Sequence, residues 1–271
     1  MYLLGLVILF VVLACVLIAL VKMRLPIYVA PYLKQGQLGN CIFQVLAAKG
    51  YAEKHGHTVV FFSKYIPKTV DFEPIAKIFP EIPVLDDIGD YITLDYSDHA
   101  WDFFDLPYES GSVVLRGYFQ NAKYFPEDVS PLSGLPTLAH TYFIHVRAGD
   151  YLTHPKHFVD LRQYYTRCIE MIKKDDPDAE FLVFSNDNAY AENIVREYDI
   201  KYRISNTVTA LDTLIEMSTC SGAICANSSL SWLGAFFQRS GKHIFMPSQW
   251  YNDEKKDTSG IYPPWATVVD V

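Results

Sequence analysis

From residue 141 to 246 the chain repeats one pattern, a short apolar run followed by a longer segment with helical spacing. Apolar runs at 141–147, 180–185, 222–226 and 243–246, with a shorter one near "YRIS", alternate with helical segments 161–174, 188–197, 209–220 and 229–239. Strands that alternate with helices of this length are joined by right-handed crossovers and lie parallel in one sheet. The pattern therefore excludes all-α and all-β folds for this part of the chain.

A looser version precedes it. "IYVAPYL" (27–33) reads as a strand, a Gly-containing turn follows, and a helix runs from about Cys41 to His55. "TVVFF" (58–62) and "SVVLRGYF" (112–119) read as strands, the second leading toward a helix at "NAKYF". Residues 64–110 carry many Pro and Asp residues with weak periodicity, which predicts short helices and loops. Three prolines and one glycine in 126–139 mark a linker. The expected organisation is α/β with two Rossmann-like domains, 25–130 and 131–271.

Leu3 to Val21 is an unbroken uncharged run. About 20 apolar residues span a bilayer core of roughly 30 Å, so residues 1–24 are expected to form a transmembrane anchor and a short linker. Lys22 and Arg24 follow the run, and the positive-inside rule applied to them alone puts the body in the cytosol. Net charge is −8 and no Lys/Arg block occurs, which argues against a nucleic-acid partner. Cys15 lies in the run. Cys41, Cys168, Cys220 and Cys225 show no CxxC spacing, so buried thiols are expected rather than zinc.

Open α/β sheets bind ligands at the carboxyl ends of their strands, so the polar residues at each strand exit matter most. The first exit carries Gly39 and Asn40, suited to close backbone approach and helix capping. At the second, Tyr118 and Gln120 fit either an acceptor cleft or core. The third, "YFIHVRAGDYL" (142–152), delivers His145, Arg147 and Asp150 from a core strand. A guanidinium fork there suits two phosphate oxygens. The fourth has Asp187, readable as a helix cap or as a carboxylate recognising a hydroxyl or a base. At the fifth, Asn227, Ser228 and Ser229 open an apolar helix, whose N-terminus favours an anion. Arg147 and this helix start together suggest a pyrophosphate site. Asp176 and Asp178 form a literal D-x-D, but in a polar turn that reads as solvated rather than as a metal site.

"GQLGNCIFQ", "GYFQNAKYF", "HVRAGDY", "FSNDNAYAE", "ANSSLSWLGAFF" and "PSQWYND" occur in this order. The set resembles the ordered motifs of glycosyltransferase family 11, the α-1,2-fucosyltransferases, over about residues 27–253. The resemblance implies a GT-B fold, its two domains facing a cleft. It also implies an inverting, metal-independent transferase that takes GDP-L-fucose as donor and needs no cofactor. The expected acceptor is a glycan hydroxyl, the 2-OH of a terminal galactoside. Arg147 falls on the family's β-phosphate ligand, with His145 and Asp150 on flanking positions. Asn40 falls near the fucose site, and Ser228 and Ser229 on pyrophosphate-binding serines. Left open are whether Asp150 stabilises positive charge or accepts a proton, and whether His145 serves the nucleoside. In a eukaryote the resemblance implies a single-pass Golgi membrane protein with a luminal catalytic domain. Ala148, Cys41 and Leu233 depart from the family's usual Arg, Gln and Trp. The alternatives are a protein O-fucosyltransferase-like enzyme and an inactive, membrane-anchored GDP-sugar or glycan-binding protein.

Overall fold

The computed structural model describes residues 26–33, 36–66, 72–129, 132, 134–238, 243–253 and 255–271. The first part of the chain forms strands β1 (Tyr28–Pro31), β2 (Thr58–Val59), β3 (Phe61–Phe62), β4 (Val84–Leu85), β5 (Tyr91–Asp95) and β6 (Ser112–Arg116). Helices α1 (Leu38–His55) and α2 (Phe72–Ile78) accompany them. Four of the strands make a parallel sheet in the order β2-β1-β6-β5, and β3 pairs with β4.

The second part forms β7 (Leu138–Val146), β8 (Glu180–Ser185), β9 (Lys201–Ile204), β10 (Cys220–Ile224), β11 (Ile244–Pro247) and β12 (Thr267–Val269). Its helices are α3 (Asp150–Thr153), α4 (Arg162–Asp175), α5 (Asn188–Val195), α6 (Ala210–Ser218) and α7 (Ser229–Gln238). The six strands are parallel, in the order β12-β11-β10-β7-β8-β9. The chain runs outward from β7 to β9 and returns through β10, so the winding direction reverses between β7 and β10. Ligand sites of open sheets lie at that reversal.

Alternation along β7 explains how it serves two layers. Tyr142, Ile144 and Val146 enter the core beneath α4 and α5, while Phe143 enters the core containing α6, α7 and α1. His145 and Arg147 follow Phe143 at steps of two and so lie on the side of the first half. Helix α1 is buried on nearly every side: Val29, Ala47 and Leu115 share one cluster, and Ile42, Phe43 and Trp232 share another. The rings of Phe43 and Trp232 sit 4.7 Å apart. A helix apolar all round belongs inside protein, and α1 is the element that joins the two halves.

Three differences from the sequence reading have local causes. "TVVFF" divides between two sheets: Val60 N–H donates to Val29 O, and the next residue, Phe61, donates to Pro83 O. The strand β5 was hidden because it is an edge strand with mostly exposed side chains. Terminal β12 is only three residues long.

The transmembrane helix expected over residues 3–21, and the membrane partner with it, is corrected. No helix among the described residues is long and apolar enough to cross a membrane. The longest of them, α1, is 18 residues and is enclosed by protein. Residues 1–25, on which the expectation fell, lie outside the described residues.

Candidate active site

The exits of β1, β5, β6, β7 and β10 border one cleft of about 600 Å3 between the halves. That volume suits a small-molecule site. Gly39, Asn40, Tyr118, Gln120, Arg147, Asp150, Asn227, Ser228 and Ser229, all expected from sequence, line it.

Two helix N-termini meet in its wall. A β-carbon built on Gly39, in the first turn of α1, would stand 2.5 Å from Ser229 Oγ and 3.0 Å from Leu230 N. Only glycine permits that approach. Gln37 at the start of α1 makes no side-chain cap bond. The first-turn N–H groups of both helices therefore present positive dipole ends to the cleft, as anion sites do.

Arg147 is the guanidinium beside them. Its Nη2 donates to Asp150 Oδ1 at 2.6 Å, and its Cζ lies 4.6 Å from the Tyr151 ring centre. Arg147 Nε is buried without a partner. Asp150 is 62% exposed, so the pair adds little to stability by itself.

His145 is not in the cleft wall. It is 4% exposed, and its Nδ1 has no partner. Burial, aided by the Arg147 charge, pushes its pKa down to about 3, so the imidazole is neutral.

On the first half, Gln120 Nε2 donates to Asn40 Oδ1 at 2.7 Å, tying the β1 and β6 exits together. Phe119, just before Gln120, takes a φ of 49°, rare for a bulky residue and a sign of backbone strain beside the cleft.

Two expected donor residues turn out to do structural work. Asp187 accepts the Tyr190 N–H at 3.0 Å as the N-cap of α5 and does not line the cleft. Asn227 lines it, but its Nδ2 donates to His157 O at 2.9 Å and Trp250 O at 3.1 Å, fastening two loops to the start of α7.

Sequence reasoning missed the aromatic side of the cleft. The Tyr151 and His157 rings stack at 5.0 Å, Tyr251 meets His157 edge-on at 5.0 Å, and Trp101 of the first half lies 5.8 Å from Tyr251. Burial lowers the His157 pKa and raises that of Tyr151. The order of "PSQWYND" pointed at Trp250 and Tyr251. Nothing pointed at His157 or Trp101.

Among the described residues, no group of three or more His, Cys, Asp or Glu is placed to hold a metal ion. Asp176 precedes β8, at the opposite end of the sheet from the cleft. There it accepts the Tyr142 hydroxyl at 2.8 Å and pairs with His140. Cys41, Cys168, Cys220 and Cys225 are buried.

Chemically, the cleft offers one guanidinium and two helix N-termini to an anion, facing polar side chains of the other half. Comparisons with known proteins agree in kind. The chain is 32% identical over 126 residues to an O-antigen biosynthesis glycosyltransferase, WbnK, of Escherichia coli, covering 44% of this chain and 41% of that protein. It is 28% identical over 171 residues to an alpha-1,2-colitosyltransferase of Escherichia coli, covering 54% and 58%. The chain thus spans about half the length of the curated relatives it matches. These relatives are bacterial, so the expected Golgi location is corrected. Among solved structures, fucosyltransferase NodZ from Bradyrhizobium aligns at a TM-score of 0.49 with 11% identity, over 82% of this chain and 96% of that one. POFUT1 in complex with GDP aligns at 0.46 with 11% identity, over 81% and 98%. The fold assignment rests on the strand order. Residues 139–268, the C-terminal region of the chain, match the model of glycosyl transferase family 11.

Proposed function

We propose that the chain transfers L-fucose from GDP-β-L-fucose, with inversion, to a glycan hydroxyl, the 2-OH of a terminal galactoside first among acceptors. The observation that carries this reading is the convergence of Arg147 with the N-termini of α1 and α7 in one cleft wall. As the bond from fucose C1 to the β-phosphate oxygen breaks, negative charge grows on GDP. Arg147 and the two helix starts are fixed where that charge develops, which is the largest contribution to such catalysis. The fucosyl carbon becomes oxocarbenium-like, the acceptor oxygen bonds to it from the face opposite GDP, and the hydroxyl proton passes to Asp150, the exposed carboxylate held by Arg147. His145, buried and neutral beneath the cleft, takes no part in proton transfer in this reading. Tyr118 and Gln120 belong to the acceptor side, and Asn40, which accepts from Gln120, to the fucose site. The protein's own positive groups neutralise the pyrophosphate, so this mechanism requires no metal ion.

The test is transfer from GDP-fucose to a panel of terminal-galactose glycans with linkage analysis, beside donor hydrolysis without acceptor. A chain that neither binds GDP nor releases it from GDP-fucose would end the reading. The name of the alpha-1,2-colitosyltransferase relative favours a second reading, transfer of a colitosyl group, and the corresponding sugar nucleotide belongs in the same panel.

A further inference from the structure

Past the end of β7 the backbone ladder to β8 stops, yet the chain carrying Arg147 is held on both sides. Before it, Ser185 Oγ donates to Val146 O at 2.7 Å. After it, Asn186 grips a single residue twice: Ala148 N–H donates to Asn186 Oδ1 at 2.9 Å, and Asn186 Nδ2 donates to Ala148 O at 3.2 Å. The backbone N–H requires the oxygen on its side, so the amide orientation is dictated rather than chosen. Ala148 is fully buried, while Asn186 itself is exposed and serves no core. Gly149 completes the fit. Its φ is 58°, and a β-carbon there would stand 2.5 Å from Asn186 Nδ2. The side-chain amide thus continues the ladder where the backbone cannot, across the residues that aim the guanidinium.

We infer that Asn186 is a positioning residue for Arg147, its amide clamping Ala148 so that the guanidinium meets the donor pyrophosphate in one orientation. The inference rests on the transfer reading above and adds to it a residue that touches neither donor nor acceptor. Misplacement of a reacting or stabilising group by about 1 Å costs on the order of 10²-fold in rate. A flanking support with no tie to chemistry would cost only stability.

The experiment is a double-mutant cycle read by GDP calorimetry and by turnover. Asn186→Ala should lower kcat and GDP affinity by about 10-fold or more while the melting temperature stays near wild type. Asn186→Asp, close in shape, should not rescue. It keeps the acceptor for Ala148 N–H but sets an oxygen against Ala148 O. In an Arg147→Ala background, Asn186→Ala should cost nothing further, because residues acting as a unit are non-additive. Asp187→Ala, which removes the neighbouring helix cap, should lower stability and leave the cycle uncoupled from Arg147. Multiplying losses for Asn186 and Arg147, or wild-type turnover in Asn186→Asp, would overturn the clamp. A wild-type chain that binds no GDP would end the transfer reading instead. Hydrogen exchange at the Ala148 amide would then still judge the clamp, which requires faster exchange in Asn186→Ala.

Discussion

Gly39 and Ser229 bring the first turns of two helices from opposite halves together, leaving no room for a methyl group between them. Gly39→Ala must therefore push α1 off α7. The expected cost is about 1–3 kcal/mol of stability, as for other overpacked contacts. GDP affinity should fall as well, because the two positive helix ends no longer converge. Thermal unfolding and calorimetry on one preparation check both. A variant as stable and as tight-binding as wild type would mean that the wall has slack.

Arg147→Lys keeps the charge and loses the planar fork. If the guanidinium acts on the departing phosphate, kcat should fall by about 10²-fold or more, with a smaller loss of GDP affinity. Circular dichroism should show a folded chain, since Asp150 is largely exposed and its pairing contributes little. Near-normal turnover in folded Arg147→Lys would place the residue outside the reaction.

Strand ends were the most legible part of this molecule. An apolar run that stops at a cluster of polar residues fixes both a buried strand and what it delivers. Arg147, Asp150, Ser228 and Ser229 were found that way. Asn227 and Asp187 show the limit: capping, loop-fastening and ligand binding draw on the same residue types. Only the partners, Tyr190 N–H for Asp187 and the His157 and Trp250 carbonyls for Asn227, tell them apart. Trp101 was illegible because its segment has no periodicity. Tertiary packing, rather than local pattern, carries it to the cleft beside Tyr251.

His145 makes an acid-stability prediction. Its folded pKa lies at about 3, below the ordinary 6.5, so between those values the unfolded chain binds a proton that the folded chain refuses. Stability therefore falls as pH drops from about 6.5 toward 3, by up to about 1.4 kcal/mol per pH unit from this group. Urea midpoints measured across that range should decline more steeply for wild type than for His145→Gln. Parallel curves would mean that the imidazole is protonated in the folded protein.

Chelation tests the source of positive charge. Activity should be unchanged in EDTA and unaffected by added Mn2+ if, as proposed, Arg147 and the helix starts supply the field at the pyrophosphate. Loss in chelator with recovery on Mn2+ would require a cation at the leaving group.

The burial of α1 between the first sheet and α7 bears on how such a protein can be re-engineered. A chimera that exchanged the first half while leaving α7 behind would sever Phe43 from Trp232 and Gly39 from Ser229 in one cut. The natural unit of exchange is thus not a half but the loops at the β5 and β6 exits. There, Ser97, Asp98, Trp101 and Tyr118 line the cleft and can be varied while α1 and α7 stay together as a pair.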